Sequence, residues 1–291
     1  MRRTGPLGNE NVKVSLLNKP TRLFILITFA LSWPILFLAF GWFDSPGKIL
    51  IRYLLSCTGM LMVAFSAFVV RVFVEKEGFD DVGWDQGDLN WYAAALLFGI
   101  ICWVIPSLIA MALGIQELKS EIIGDSYTVA VLSLMGFNVI AGFGEEFGWR
   151  GYLLARLSSD QKRAREAIVV IGFIWGVWHF PVALGPLLKA ALERSPELAS
   201  MMVPTLSYCV RMIGTTLMLS FIFGAAWLRT KSIFLVSFLH GYFIGFRDAT
   251  GILIGVSSLT IPFLIVVLIG VWFVSFRWLK GYEKGEWRNI L

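Results

Sequence analysis

Two adjacent carboxylates and an arginine occur in one octapeptide, GEEFGWRG at residues 144–151, which follows a long apolar run. Ionisable groups at membrane depth are costly and are usually paired or functional. Glu146 and Arg150 are four residues apart, so on a helix they share a face and we expect an ion pair. Glu145 points about 100° away from Glu146 and has no helical partner. A desolvated carboxyl group without a partner suits a general base. The alternative is a structural ion cluster that locks helices together.

The two histidines of the chain are the other candidates for chemistry. His179 follows the apolar segment WGVW, and His240 lies in a second apolar run. Either histidine alone is better explained as a hydrogen-bonded structural residue. Counted from the nearest polar turns, Glu145, His179 and His240 lie about 15 to 26 Å deep along their helices. Tilted helices can bring these depths to one level of a bilayer, and glycines near all three residues would let the helices approach closely.

Composition assigns the chain to the polytopic membrane proteins. Of its 291 residues, 57% are hydrophobic and only 15% are charged, whereas about a quarter of the residues are charged in soluble domains. The net charge of +5 does not indicate nucleic-acid binding, because the basic residues cluster at the ends of apolar runs. Cys57, Cys102 and Cys209 are far apart in apolar segments, so we expect from them neither a metal site nor a disulfide framework.

The apolar runs predict an all-α fold, a polytopic membrane bundle of about eight transmembrane helices. The fourth span is longer than a bilayer requires, and we expect it to tilt, to bend near Gly142 and Gly144, or to project. The spans belong to a single domain, residues 23–279, between a cytoplasmic tail at residues 1–22 and a basic cytoplasmic tail at residues 280–291. The predicted spans are 23–43, 49–74, 91–113, 127–157, 167–184, 203–228, 232–246 and 259–279.

An even number of spans places both tails on the same side of the membrane. Most of the 25 lysines and arginines lie in these tails and in the loops on their side. By the positive-inside rule, that side is the cytoplasm. We therefore expect a multi-pass integral membrane protein with both termini cytoplasmic. The membrane is expected to be a prokaryotic cell membrane. The acidic loop at residues 75–90 is interpreted as a solvated connector.

Taken together, the polar segments resemble the motifs of the CPBP family (CAAX prenyl protease and bacteriocin-processing, also called Abi). Residues 145–150, EEFGWR, resemble its E-E-x-x-x-R motif. Residues 175–179 match F-x-x-x-H, except that Trp175 replaces the phenylalanine. His240 matches the histidine of H-x-x-x-N/D. The order of the motifs and the eight-span plan extend the resemblance over residues 23–279.

Members of that family are intramembrane glutamic-type endopeptidases that work without a metal, so the resemblance implies this activity and no cofactor. It implies that Glu145 activates the attacking water with the help of His179. His240 would belong to the oxyanion site, and Glu146 and Arg150 would be supporting groups. The implied partners are the lipid bilayer and a membrane peptide or protein, which can be lipid-modified. No nucleic acid is implied.

One position departs from the motif. The residue four after His240 is Ile244, where the family has Asn or Asp. Isoleucine cannot donate a hydrogen bond, and loss of an oxyanion donor removes several kcal/mol of transition-state stabilisation. Asn138 lies seven residues before Glu145, on nearly the same helix face, and is a candidate substitute donor. It is also a candidate for a purely interhelical hydrogen bond.

Three alternatives to an active peptidase remain. The first is a catalytically impaired member of the fold that acts as a membrane scaffold or in bacteriocin immunity, as Ile244 suggests. The second is a metal-dependent membrane hydrolase, because one glutamate and two histidines are a known zinc set, although the chain has no H-E-x-x-H motif. The third is a transporter or channel in which the buried glutamates and Arg211 line a path. No internal repeat favours the third alternative.

Overall fold

The structure, a computed structural model, describes residues 17–43, 45–119, 125–255 and 260–286. Within these ranges the chain forms eight helices, three of which change to π-helical geometry along their length. The predicted all-α class is confirmed. The helices are α1 Lys19–Trp42, α2 Ile49–Val69 with a π-helical end Val70–Glu75, α3 Leu89–Gly99 with Ile100–Val104 and Ile105–Ala112, α4 Asp125–Glu146 with Phe147–Leu154 and Ala155–Leu157, α5 Ala164–Trp178 and Pro181–Leu192, α6 Leu198–Thr230, α7 Ile233–Leu253, and α8 Thr260–Glu283.

Each helix corresponds to one predicted span. The helical region is wider than residues 23–279, since α1 begins at Lys19 and α8 ends at Glu283. Of the expected tails at residues 1–22 and 280–291, residues 1–16 and 287–291 lie outside the described residues. The larger differences in the bounds are in α5 and α7, which continue to Leu192 and Leu253.

Six helical segments among the described residues are long and apolar enough to cross a membrane. These segments make the chain a multi-pass integral membrane protein. Exposed apolar side chains cover them, for example Leu26 on α1, Phe173 on α5 and Val266 on α8. The six segments are Lys19–Trp42, Ile49–Glu75, Leu89–Ala112, Gln161–Leu192, Leu198–Thr230 and Thr260–Glu283.

The other two helices, α4 and α7, carry most of the polar residues singled out above and pack against each other. Every residue from 144 to 154 is buried. Their close approach depends on two glycines. A Cβ atom on Gly142 would lie 3.1 Å from the carbonyl oxygen of Ser237, and one on Gly241 would lie 2.5 Å from the Cα of Val139. This crossing places His240, the neighbour of Gly241, beside α4.

The long fourth helix changes geometry at Phe147, immediately after the two glutamates. The α-helical part runs without interruption through Gly142 and Gly144, the region where a bend was one of the expectations. Gly144 instead allows close packing, because a Cβ atom there would lie 2.9 Å from the Cα of Leu61 on α2. Single π-helical segments within α-helices are frequent at functional sites.

A second break interrupts α5 at His179. Pro181 has no backbone N–H and cannot continue the α-helical ladder. The last turn before it tightens, since His179 N–H donates to Gly176 O at 3.2 Å and Phe180 N–H donates to Val177 O at 3.0 Å. The carbonyl oxygen of Trp175 is thereby released from its usual partner, the N–H of His179.

The interpretation of residues 75–90 as a solvated connector was incomplete. Most of its side chains are exposed, but Val82 is fully buried. Its carbonyl oxygen accepts a hydrogen bond from the Trp227 indole at 2.9 Å, and Gly83 O accepts one from Ile233 N–H at 2.7 Å. Gly83 has φ +92°, a conformation that favours glycine. The loop therefore closes one end of the bundle.

Candidate active site

Glu145 lies at the end of the α-helical part of α4 and is 1% exposed. Its Oε2 atom accepts a hydrogen bond of 2.5 Å from the indole N–H of Trp175 on α5. Its neighbour Glu146 points to other partners. The sequence offered Glu145 no partner on its own helix, and the donor in the structure comes from α5.

Glu146 and Arg150 form the ion pair that their spacing predicts, with Oε1 and Nη1 separated by 2.9 Å. The same Oε1 atom lies 2.8 Å from Nδ1 of His240 on α7. All three side chains are buried, and Glu146 and Arg150 are 0% exposed. The guanidinium of Arg150 also lies over the ring of Trp175, 4.7 Å from its centroid. Glu146 thus links α4 to α7.

The hydrogen bond of His179 determines which of its ring nitrogens carries the proton. Nδ1 lies 2.8 Å from the carbonyl oxygen of Trp175, the oxygen released by the break in α5. A carbonyl oxygen only accepts, so Nδ1 must donate. In a neutral imidazole, Nε2 then has a free lone pair and can accept a proton or a hydrogen bond from water.

The same reasoning applied to His240 gives a different conclusion. The carboxylate of Glu146, paired with Arg150, is an acceptor, so Nδ1 of His240 donates to it. Nε2 of His240 can donate to a developing oxyanion only in the doubly protonated imidazolium form.

The structure brings together five of the six predicted site residues, and each of the five contacts Trp175 or a residue that contacts it. Glu145, His179, His240 and Arg150 contact Trp175 directly, and Glu146 joins through Arg150 and His240. Sequence reasoning did not include Trp175 as a site residue. The signal was present as the tryptophan in place of the motif phenylalanine, which adds an N–H donor to the ring.

Asn138 stands apart from this group among the described contacts. Its Oδ1 atom accepts a hydrogen bond of 2.8 Å from the hydroxyl of Tyr53 on α2. The residue is 3% exposed, and within the described residues its Nδ2 atom has no hydrogen-bond partner. Asn138 therefore makes an interhelical bond with its oxygen and retains a free donor. Ile244 is half-buried on α7.

Arg211 does not face the polar interior. It is exposed on α6, and its Nε–H donates to Ser207 O at 3.4 Å on the same helix. This removes Arg211 from the path that the transporter alternative required. In the described parts of the chain, no group of three or more His, Cys, Asp or Glu side chains is arranged to hold a metal ion.

The fold and the site together define a polytopic membrane protein with a buried centre of glutamate, histidine and arginine. The family model for Rce1-like type II CAAX prenyl endopeptidases matches residues 127–245. The matched stretch includes every predicted site residue from Asn138 to His240 and leaves α1 to α3 and α8 outside. The chain therefore contains a domain of this family of intramembrane endopeptidases, and the resemblance drawn from its motifs is confirmed. A comparison with curated proteins found no match.

Proposed function

We propose that the protein is an intramembrane endopeptidase that hydrolyses peptide bonds of membrane-associated or lipid-modified proteins with a water molecule activated by Glu145. The observation that carries this proposal is the arrangement around Trp175. Its N–H holds the Glu145 carboxylate at 2.5 Å, and its carbonyl oxygen holds Nδ1 of His179 at 2.8 Å. A buried carboxylate and a half-buried imidazole with a free Nε2 are thereby bonded to one residue, and in the proposed function they share a water molecule.

In the proposed reaction, Glu145 removes a proton from water while Nε2 of His179 accepts the second hydrogen bond of that water. The water oxygen forms a bond to the peptide carbonyl carbon, and the carbonyl oxygen becomes an oxyanion. The carbon–nitrogen bond then breaks, and the proton held by Glu145 moves to the leaving amine. A general base of this kind contributes about 10² to 10⁴ in rate.

The oxyanion requires donors that Ile244 does not supply. His240, whose Nδ1 is bonded to Glu146 at 2.8 Å, can offer Nε2–H only in its imidazolium form. The free Nδ2 group of Asn138 is a second candidate. It lies seven residues before Glu145, or about 10 Å along α4, so it can contribute only if the substrate extends toward Tyr53.

The decisive experiment uses purified protein in lipid vesicles with a library of membrane-anchored peptides, with and without a C-terminal lipid. Products are identified by mass spectrometry. Wild type should cleave at least one class of peptide, and Glu145→Gln should reduce the rate by about 10²-fold or more at unchanged thermal stability. Glu75→Gln is a matched control, because Glu75 is also largely buried but bonds to Arg156 outside the site. Full cleavage by Glu145→Gln would refute the role of Glu145.

Metal dependence is tested in the same assay. The proposed chemistry uses only side chains and water, so EDTA and 1,10-phenanthroline should leave the rate unchanged. Elemental analysis should find no stoichiometric zinc in the purified protein. Zinc that is bound in wild type and lost in both His179→Ala and His240→Ala would instead favour the metal-dependent hydrolase.

A second candidate function rests on Ile244. If the missing donor has no substitute, the protein is a catalytically impaired member of the fold that acts as a scaffold or in bacteriocin immunity. Comparative proteomics of membranes distinguishes the two functions. An active peptidase predicts that at least one membrane protein precursor accumulates in cells with Glu145→Gln. A scaffold predicts that the variant and wild type have the same precursors.

A further inference from the structure

Trp175 contacts every ionisable side chain of the site except Glu146. Its N–H and its carbonyl oxygen hold Glu145 and His179. Its ring meets the His240 ring edge to face at a centroid distance of 5.6 Å, and Arg150 lies over it at 4.7 Å. The residue itself is 2% exposed.

The backbone of Trp175 is fixed by close packing of α5 against α6. A Cβ atom on Gly176 would lie 2.8 Å from the Cα of Ile213, and one on Gly172 would lie 2.9 Å from the Cα of Leu217. The two helices therefore touch backbone to backbone on both sides of Trp175. Because the indole is also enclosed by the Arg150 guanidinium and the Phe223 ring, its N–H is presented at one fixed place.

We infer that Trp175 is the positioning residue of the site. The indole N–H orients the Glu145 carboxylate by binding Oε2, which leaves Oε1 to take the proton from water. The carbonyl oxygen of the same residue holds His179 in the tautomer whose Nε2 is free. One residue thus sets the relative geometry of the two groups that act on the water. This inference rests on the proposed function.

Kinetics of two variants distinguish the contribution of the indole N–H from that of the aromatic ring. Trp175→Phe keeps an aromatic ring and removes the N–H, whereas Trp175→His is smaller but places its Nε2–H at the ring position of the indole N–H. A hydrogen bond to a charged group contributes more free energy than one between neutral groups. Its loss in Trp175→Phe should therefore lower kcat about 10- to 100-fold. KM should change less than about 3-fold, because the positioning acts on the chemical step. Trp175→His should recover part of the lost kcat.

The control for these variants is Trp227→Phe. Trp227 is also 2% exposed and also donates its indole N–H to an oxygen, that of Val82, at 2.9 Å. It lies on α6, at the end of the bundle that the acidic loop at residues 75–90 closes. It is not among the residues grouped around Trp175. Trp227→Phe should therefore lower thermal stability to a similar extent as Trp175→Phe while kcat stays at the wild-type value.

A spectroscopic measurement tests the contact without any substrate. The chain has 12 tryptophans, and the indole ¹H–¹⁵N resonances of Trp175 and Trp227 are assigned from the two phenylalanine variants. In Glu145→Gln the resonance of Trp175 should move upfield as its acceptor loses charge, and that of Trp227 should stay in place.

The outcomes are distinguishable. A folded Trp175→Phe with wild-type kcat, a Trp175→His no faster than Trp175→Phe, or a Trp175 resonance unchanged in Glu145→Gln would each overturn the inference. If Trp175→Phe does not fold, Trp175→His assigns the Trp175 resonance, and the response of that resonance to Glu145→Gln decides. A wild type that cleaves no peptide refutes the proposed function, and the resonance then shows separately whether Trp175 holds Glu145.

Discussion

Two clusters of arginine and carboxylate lie at opposite ends of the π-helical segment Phe147–Leu154, and they differ in how completely their polar atoms are bonded. In the site, Arg150 makes one ion pair, to Glu146. Within the described residues its Nη2 atom and Oε2 of Glu146 are buried without a hydrogen-bond partner. Aromatic rings face the guanidinium instead, with Phe223 at 5.2 Å.

The second cluster makes more hydrogen bonds and ion pairs per arginine than the site does. We call it the loop cluster; it is formed by Arg71, Glu75, Glu77, Asp81 and Arg156. Arg71 donates to the carbonyl oxygens of residues 78 and 151, each at 2.8 Å, and to Asp81 at 2.7 Å. Arg156 pairs with Glu75 and Glu77 at 3.1 and 2.6 Å and also with Asp81. This cluster joins the acidic loop to the ends of α2 and α4.

The difference indicates what each cluster is for. A structural cluster gains from bonding its groups, because an unpaired buried polar atom is destabilising. In the loop cluster only Nε of Arg71 is buried without a hydrogen-bond partner within the described residues, whereas the other nitrogens of its two arginines are bonded. A site that must bind water and substrate keeps polar atoms free to bond to these molecules. The cost in stability of these unbonded atoms is offset elsewhere in the structure. We interpret the loop cluster as structural and the cluster around Glu146 as the support of a reactive centre.

The largest expected difference in stability between the clusters comes from removing one carboxylate from each. Glu146→Ala leaves Arg150 buried without its charge partner and should lower the free energy of unfolding by about 3 to 5 kcal/mol. Glu77, whose side chain is 59% exposed, forms a surface pair, and Glu77→Ala should change stability by about 1 kcal/mol or less. Thermal unfolding in detergent compares the two variants.

A double variant isolates the cause of the first effect. Glu146→Ala with Arg150→Met removes both charges and should recover a large part of the lost stability, because no unpaired charge remains. If the double variant is no more stable than Glu146→Ala, the loss comes from the His240 contact or from packing. The difference in stability between the Glu146 and Glu77 variants would then not be explained by an unpaired charge on Arg150.

The second prediction concerns the missing donor at Ile244. Ile244→Asn places an amide one turn from His240 on the same helix face. It should raise kcat by up to about 10²-fold if the wild-type site has no substitute donor. KM should change less, since the oxyanion forms mainly in the transition state. The kinetics are measured in vesicles on whichever peptide wild type cleaves best.

Asn138 decides how large that gain is. If its free amide already serves the oxyanion, the gain should be small, Asn138→Ala should remove most of the wild-type rate, and Ile244→Asn should partly restore it. Thermal stability is the control, because asparagine is smaller than isoleucine and can leave a buried unsatisfied amide. A stably folded Ile244→Asn that, like wild type, cleaves no peptide favours the scaffold function.

The sequence predicted those features that depend on residues close together along the chain. The eight helices follow from apolar runs, and the Glu146–Arg150 pair follows from a spacing of four residues. Glycines predicted close approach of α4 and α7, which is observed at Gly142 and Gly241. In each case the physical cause lies within one helix or in the size of one side chain.

The features that escaped prediction join distant parts of the chain. The bond from Trp175 to Glu145 spans 30 residues, and that from His240 to Glu146 spans 94. Both depend on how whole helices rotate and cross, which no local pattern fixes. The π-helical segment also gave no signal of its own, because residues 147–154 apart from Arg150 are apolar or glycine, and this pattern does not distinguish a π-helix from a closely packed α-helix.

The smallest expected effect belongs to Asp81 in the loop cluster. Partial burial opposes its charge, but the hydrogen bond and charge of Arg71, together with Arg156, outweigh burial and lower the pKa of Asp81. A carboxylate with a lowered pKa stabilises the folded state above its unfolded value, and this stabilisation disappears as pH falls through the folded value. Asp81→Asn should therefore reduce stability near neutral pH, by about 1 kcal/mol or less because its side chain is 46% exposed.

The pH dependence distinguishes this electrostatic effect from a packing effect. The stability difference between wild type and Asp81→Asn should be constant at neutral and mildly acidic pH. It should begin to shrink as pH falls below the ordinary value of 3.8, because the unfolded state then takes up a proton at Asp81 while folded wild type keeps its charge until lower pH. Urea or thermal unfolding of both proteins at matched pH values measures the difference. A difference that persists unchanged at the lowest pH at which both proteins fold would mean that Asp81 acts through its shape and hydrogen bonds, and that the loop cluster does not depend on its charge.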